Sequence, residues 1–285
     1  MIRNKSGKWL NSSVFREEAI KFQSNGVYCS APIGTPDWIE YWEEQLKRCK
    51  QGYEVEGEKI TGHHYFYLNF TQIQIVEQDE DEESVVANKI TRNPDFWDGD
   101  YDYFWALEIA RNGLFTKGTQ VPSTSEEKKE WNSLNKKLRV LRKELGDSYK
   151  SNIEYLNIKE QRDNISLEVL GRLNLKIKPH LDYLSGGYHM IVGKSRRKGY
   201  SYKDGAICAN VYNTERNAQV IIGAFDKKFL YPTGTMGMAS EYLNFLNSHT
   251  GWAKSRDYVN KQDHKKASYK YSRNGIESEE GYKSQ

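Results

Sequence analysis

The 285-residue sequence predicts an α/β fold in which parallel strands alternate with crossover helices, the sheet being incomplete within the chain. Three observations predict it. In the last third, short apolar runs alternate with helix-compatible stretches. In the middle, Trp131, Leu134, Leu138, Leu141 and Leu145 fall at alternating steps of three and four, the seam of a helix that packs on a partner. Ahead of that seam, aromatic and β-branched runs are mixed with amphipathic helical patterns. The expected organisation is an N-terminal α+β region over 1–122, a charged helical hairpin inserted over 123–172, and an α/β core over 173–285.

The first region opens with a turn-like stretch, Ala31 to Pro36. Trp38, Ile39, Trp42 and Leu46 then recur at helical spacing, with Pro36 suited to a first-turn position. Gly62-His-His-Tyr-Phe-Tyr-Leu-Asn-Phe70 is rich in aromatics, is flanked by β-branched residues and is expected to be a strand. Thr71-Gln-Ile-Gln-Ile-Val76 alternates polar and apolar residues, as a half-buried strand does. The acidic run Glu77 to Glu83 is expected to be an exposed loop. Asn93 to Gly99 is a turn leading into a helix over Tyr101 to Asn112, which Gly113 closes.

Ser123-Thr-Ser125 is an N-cap cluster, and Glu126, Glu127 and Glu130 sit where a helix dipole favours acids. Gly146 ends this helix, and a second one is expected from about Lys150 to Leu170. In the core, Tyr188-His-Met-Ile-Val192 is expected to be a buried strand, followed by a Gly- and Lys-rich loop and a helix over Lys203 to Asn213. Gln219 to Phe225 is a second expected strand, and Gly237 to His249 a helix with Met238, Tyr242, Phe245 and Leu246 inward. The tail from Ser255 onward is basic and weakly patterned.

Composition narrows the function. A net charge of +3 excludes a polycation, and 13% aromatic content with 20 tyrosines argues against disorder. No apolar stretch approaches the length of a membrane span, and the start MIRNKSGKW lacks the apolar core of a signal peptide. Cys29, Cys49 and Cys208 are too widely spaced for a disulfide framework or a CxxC metal site, so reduced thiols are expected.

The chemistry is concentrated in Ile191-Val-Gly-Lys194-Ser195-Arg196-Arg197-Lys198-Gly199-Tyr200-Ser201. A phosphate-binding loop needs backbone N–H groups at a helix start, a glycine that lets an anion approach, a lysine for the β and γ phosphates, and a hydroxyl for Mg²⁺. A strand, a glycine, several cations and a hydroxyl stand here in that order. The ordinary G-x-x-x-x-G-K-[ST] spacing is not met: Gly193 to Gly199 is one residue too long, and Tyr200 occupies the lysine position.

The run nevertheless resembles the variant loop of phage large terminase subunits, particularly those of lambda-like phages. That loop has the form K-S-x-R-x-G-Y-S, with its lysine at the beginning, and Lys194 to Ser201 matches every fixed position. Gly62 to Phe70 and Pro94-Asp-Phe-Trp97 also look like features of phage terminases. The resemblance implies a P-loop NTPase-type parallel sheet, ATP and Mg²⁺ as cofactors, and residues Lys194, Ser195, Arg196, Arg197, Lys198, Gly199, Tyr200 and Ser201 around the nucleotide. Lys194 would contact the phosphates, Arg196 or Arg197 would stabilise the γ phosphate, Gly199 would admit the backbone, and Ser201 would hold the metal. Lys194 and Arg197 are the implied catalytic pair. Tyr65 to Phe70 and Phe96 to Phe104 are the candidate adenine-side segments.

The implied partners are double-stranded DNA, a portal protein, a small terminase subunit and other copies in a ring, with no membrane. The implied place is the host cytoplasm, at the procapsid portal. Val220 to Asp226 could be read as a Walker B strand, but Lys227 and Lys228 follow it where a glutamate should, so a plain strand is expected. With no apolar strand ending in Asp/Glu-Glu and no nuclease carboxylate cluster, the chain is expected to be a fragment that hydrolyses ATP poorly alone. Two rival readings remain: a helicase-like or repair ATPase, and a non-enzymatic nucleic-acid-binding module. His63 and His64 are adjacent and, on a strand, would face opposite ways, which argues against a shared metal. The stretch from Trp252 to Arg273 could touch DNA phosphates or be solvated surface.

Overall fold

The computed structural model describes residues 2–3, 9–77, 88–181, 184–195, 198–252, 259–260, 264–281 and 283–285. It is a mixed α/β structure dominated by helices, with short strands in two-stranded sheets. The chain divides into two compact units. One comprises 1–11, 54–61 and 97–193, and the other 12–53, 62–96 and 194–285.

In the first unit, helix α4 (Asp98–Asn112) supplies the core residues Phe104, Trp105 and Ile109, all essentially inaccessible. Gly113 ends α4 at φ +74°, a conformation glycine adopts without strain. A Cβ there would lie 2.7 Å from the Leu184 carbonyl oxygen, and one on Gly186 would lie 2.6 Å from the Asn112 carbonyl carbon. The two backbones can touch because both positions are glycine. Leu114, Gly187 and Tyr188 then exchange main-chain bonds with this corner: the Gly187 and Tyr188 N–H groups donate to the Arg111 and Ala110 carbonyls at 3.1 and 2.9 Å.

The hairpin forms as expected from α5 (Ser125–Leu145) and α6 (Ile153–Gly171). Thr124 begins α5 with a reciprocal cap: its hydroxyl accepts from Glu127 N at 3.2 Å, while the Glu127 carboxylate accepts from Thr124 N at 2.7 Å. Trp131, Leu134 and Leu138 are buried in the seam, and the Trp131 indole donates to Ser166 Oγ at 2.9 Å.

The second unit is built around α3 (Gly62–Phe70), every residue of which is buried. This corrects the expectation of a strand. A nine-residue apolar run with no polar face carries no periodicity that separates helix from strand. Buried on all sides, it satisfies its own backbone as a helix. Helix α2 (Pro36–Gln51) packs on it, starting with Pro36 at the first position after the Thr35 cap. Trp42, Phe70 and Trp252 meet at ring-centroid distances of 4.9 to 6.4 Å. Helix α1 (Glu17–Asn25), α7 (Tyr200–Thr214) and α8 (Thr235–His249) complete the unit.

The sheets differ from the expected parallel one. Strands β1 (Ile2–Arg3) and β2 (Trp9–Leu10), β5 (Ile73–Glu77) and β6 (Asn88–Arg92), β7 (Val259–Asn260) and β8 (Lys265–Lys266), and β9 (Ser268–Arg273) and β10 (Ile276–Gly281) pair antiparallel, and β3 (Tyr53–Val55) bonds to β4 (Glu58–Ile60). Most of the acidic run lies between β5 and β6, outside the described residues. The basic tail, weakly patterned in sequence, contains the β9–β10 hairpin. Its turn residues Asn274 and Gly275 both have positive φ, +55° and +77°, the signature of a type I′ turn.

Segments 188–192 and 219–225, expected as parallel strands, are irregular and join no sheet among the described residues. Val220 N donates to the Gln285 carbonyl at 2.8 Å and Gln285 N to the Ala218 carbonyl at 2.9 Å, which is a bridge rather than a ladder. Ile191, Ile221 and Phe225 are accordingly 96%, 92% and 101% exposed. The physical reason is that a parallel strand hides its apolar side chains only where helices cover the faces of its sheet, and these segments join no such sheet among the described residues. Cys29, Cys49 and Cys208 are free thiols, as their spacing implies.

Candidate functional site

The basic loop leads into α7. Gly193, Lys194 and Ser195 are exposed and irregular, Lys198 and Gly199 form a bend, and the helix starts at Tyr200. Gly199 is the N-cap at φ +69°, ψ 13°, a left-handed conformation, and no side chain caps the helix. No side chain therefore engages the first-turn amides of α7, of which Tyr202 N donates to the Gly199 carbonyl at 3.1 Å, and a helix start without a side-chain cap is an arrangement that accepts an anion. Ser201 is exposed in that first turn.

Two lysines converge on Tyr200. Lys203 Nζ lies 3.9 Å from the ring centroid and Lys194 Nζ 5.9 Å from it. Lys203 is only 3% exposed, yet its ammonium turns back along the helix and donates to the Lys198 carbonyl at 3.3 Å. Lys203 is not among the site residues that the loop motif singles out. The signal was present, since a residue three positions after Tyr200 shares its helix face. Arg196 and Arg197, the first a candidate binding residue and the second a candidate catalytic one, lie outside the described residues. The structure brings Lys194, Lys198, Gly199, Tyr200 and Ser201 together at one helix end and adds Lys203.

What holds α7 in place is legible in its small and polar residues. A Cβ on Gly205 would already sit 3.1 Å from Met238 Cβ and 3.2 Å from Ala239 N, so glycine lets α8 approach. On the opposite side, buried Asn210 donates to the Cys49 carbonyl at 3.0 Å and lies 3.0 Å from His63 Nδ1. His63 and His64 are thus buried helix residues of the packing surface, and no group of three or more metal-ligating side chains occurs among the described residues.

His64 sits against the Phe96 ring at 5.0 Å. Burial, reinforced by the Lys203 charge, pushes its imidazole down to about 3 from an ordinary 6.5. The folded state refuses a proton that the unfolded state takes up below pH 6.5. Stability is therefore complete above that pH and is lost as pH falls towards 3. Between pH 7 and 5 the loss is expected to be about 2 kcal/mol. Denaturant midpoints at the two pH values, compared with His64→Gln, check it: the variant's midpoint should move much less between them.

Most rings of the candidate adenine-side segments are interior, Trp97 at 66% exposed being the exception. Tyr65, Phe66, Tyr67, Leu68 and Phe70 are at most 4% exposed, and Phe104 is 1% exposed. Phe96 is stacked on Phe15 at 5.7 Å. These buried rings are occupied in packing, which leaves Trp97 as the exposed ring of the two segments. Asp226, the carboxylate of the alternative Walker B reading, caps the turn that follows it by accepting from Lys228 N at 3.2 Å, and pairs with the Lys228 ammonium at 3.2 Å. No helix among the described residues is long and apolar enough to cross a membrane. No family model, no curated protein and no solved structure matches this chain.

Proposed function

We propose that the loop Lys194–Ser201 binds the polyphosphate of ATP, and that the chain is the nucleotide-binding part of a terminase-like motor that moves double-stranded DNA. One observation carries the reading: α7 starts without a side-chain cap, through a left-handed Gly199, with the ammonium groups of Lys194 and Lys203 gathered on the ring of Tyr200. Uncapped amides at a helix start, a residue without a side chain, and cations that reach the same point are the elements of an anion cradle.

In this reading Lys194 crosses the outer phosphates from the start of the loop, while the first-turn amides of α7 receive the inner ones. Gly199 matters because any Cβ would be strained at its φ of +69°. Mg²⁺ would screen the phosphate charges, and Ser201, exposed in the first turn, offers it a hydroxyl oxygen. Phosphate and water oxygens would supply the rest of its shell, in keeping with a metal that retains much of its hydration. Arg196 and Arg197 belong to the same loop by sequence.

The test is the affinity of a fluorescent ATP analogue in the presence of Mg²⁺. Lys194→Ala is expected to weaken binding about tenfold or more, the loss of one charge-assisted phosphate contact. Gly199→Ala should weaken it as well, while circular dichroism shows the helices intact. Unchanged affinity in both variants would remove the nucleotide from this loop.

A further inference from the structure

The hairpin holds a second cationic site, independent of the nucleotide loop. Between α5, the turn after it, α6 and the segment around Ser185 to Tyr188 lies a cleft of about 610 Å³. Its wall carries Arg139 and Arg142 from α5, Lys150 from the turn, and Lys159 and Arg162 from α6. Each helix contributes a pair spaced three residues apart, so both pairs face the same space. Among the described residues no carboxylate lines the cleft. The hairpin is rich in acids, including Glu126, Glu130, Glu144 and Glu160, yet these are exposed and do not line the cleft. Five cations therefore share one cleft whose described lining holds no carboxylate.

Two of the five cations are partly neutralised: Asp163 accepts from Arg162 at 2.6 Å and lies 3.7 Å from Lys159. Among the described residues no carboxylate pairs with Arg139, Arg142 or Lys150. Aromatic rings share the same wall. The guanidinium of Arg142 lies 4.9 Å over the Tyr149 ring, Tyr149 meets Tyr155 edge-on at 4.9 Å, and Tyr188 is 41% exposed across the cleft.

From this we infer that the hairpin cleft binds single-stranded nucleic acid. Cations alone would suit any polyanion. Tyrosines at the same depth select a chain that carries a planar ring beside each phosphate, and only unpaired bases can leave their own stack to meet them. A duplex would reach the rim with its backbone but keep its bases from the rings. The site goes beyond the ATP reading, and neither depends on the other.

The experiment is anisotropy of a labelled oligothymidylate, titrated across KCl concentrations. Three uncompensated cations predict a slope of log affinity against log salt of about −2. Arg142→Gln/Lys150→Gln is expected to weaken binding about tenfold and flatten the slope, whereas Lys129→Gln/Lys137→Gln, an equal charge change on another face of α5, leaves both unchanged. Tyr149→Leu should weaken binding at an unaltered slope, and a duplex of equal length should bind less tightly than the single strand. All variants should keep the affinity of the ATP analogue, so failure here is separable from failure of the nucleotide site. Equal losses in the two double variants, or equal competition by polyglutamate, would overturn the inference.

Discussion

Gly62→Ala is expected to destabilise the second unit by about 3 kcal/mol or more, beyond the usual range for an added methyl. The position is the first residue of α3, where it meets the last turn of α2. A Cβ built there lies 2.2 Å from the Cys49 carbonyl oxygen and 2.7 Å from its carbon. Both atoms are backbone, so no rotamer change relieves the overlap and one helix must move off the other. The same carbonyl accepts the Asn210 amide, so displacing it also disturbs the seat of α7. Gly171→Ala is the comparison, because nothing lies within 4 Å of a Cβ at that helical glycine. There the smaller entropy of the unfolded chain should leave stability equal or raised by about 0.4–1 kcal/mol. Urea midpoints measure both. If Gly62→Ala shifts the midpoint no more than Gly171→Ala does, the contact between α2 and α3 is not as close as described.

Asn69→Ala has the second largest expected effect. This side chain is wholly buried and ties three segments. Its amide donates to the Phe15 carbonyl at 2.9 Å and the Tyr65 carbonyl at 3.0 Å, and its oxygen accepts from Ala19 N at 3.1 Å. Truncation leaves the Ala19 N–H and the Phe15 carbonyl buried without that partner. Each such group costs about 1–3 kcal/mol, so a loss near 3 kcal/mol is expected. Hydrogen exchange gives a sharper check than global stability: the Ala19 amide should lose protection more than amides in the middle of α8. An unchanged Ala19 exchange rate would show that the asparagine is not its partner.

Both positions lie on α3, the element whose type was least legible in the sequence. His63 to Phe70 has aromatic residues that favour strands and no polar stripe to mark a helical face. The hairpin shows the opposite case. Its seam, its acidic first turn and its Thr124 cap are all one-dimensional signals, and each appears in the structure. The β9–β10 hairpin was not read from the sequence: Asn274-Gly275 is a turn signal, but the charged residues around it obscured the alternation. The expected strands 188–192 and 219–225 share the apolar character of sheet interiors, and apolar character alone does not specify a lateral neighbour.

At the loop, composition located the cations but not their arrangement. Lys194, Lys198, Gly199 and Ser201 could be placed at a helix start from order alone. That a lysine one turn into α7 folds back, and that Tyr200 is the meeting point, depends on a side chain's path and on burial against α3. The cleft of the hairpin was invisible for the same reason: its cations come from two helices and a turn, and only antiparallel pairing collects them.

The ring of Tyr200 has one more consequence. Like charges held side by side repel, and in water they would drift apart into many orientations. A quadrupole between them gives each a resting place. An arriving anion would then find its positive counterparts already assembled, and the entropy of gathering them would have been surrendered when the chain folded. A leucine in that place would leave the same lysines in the sequence but not the same readiness.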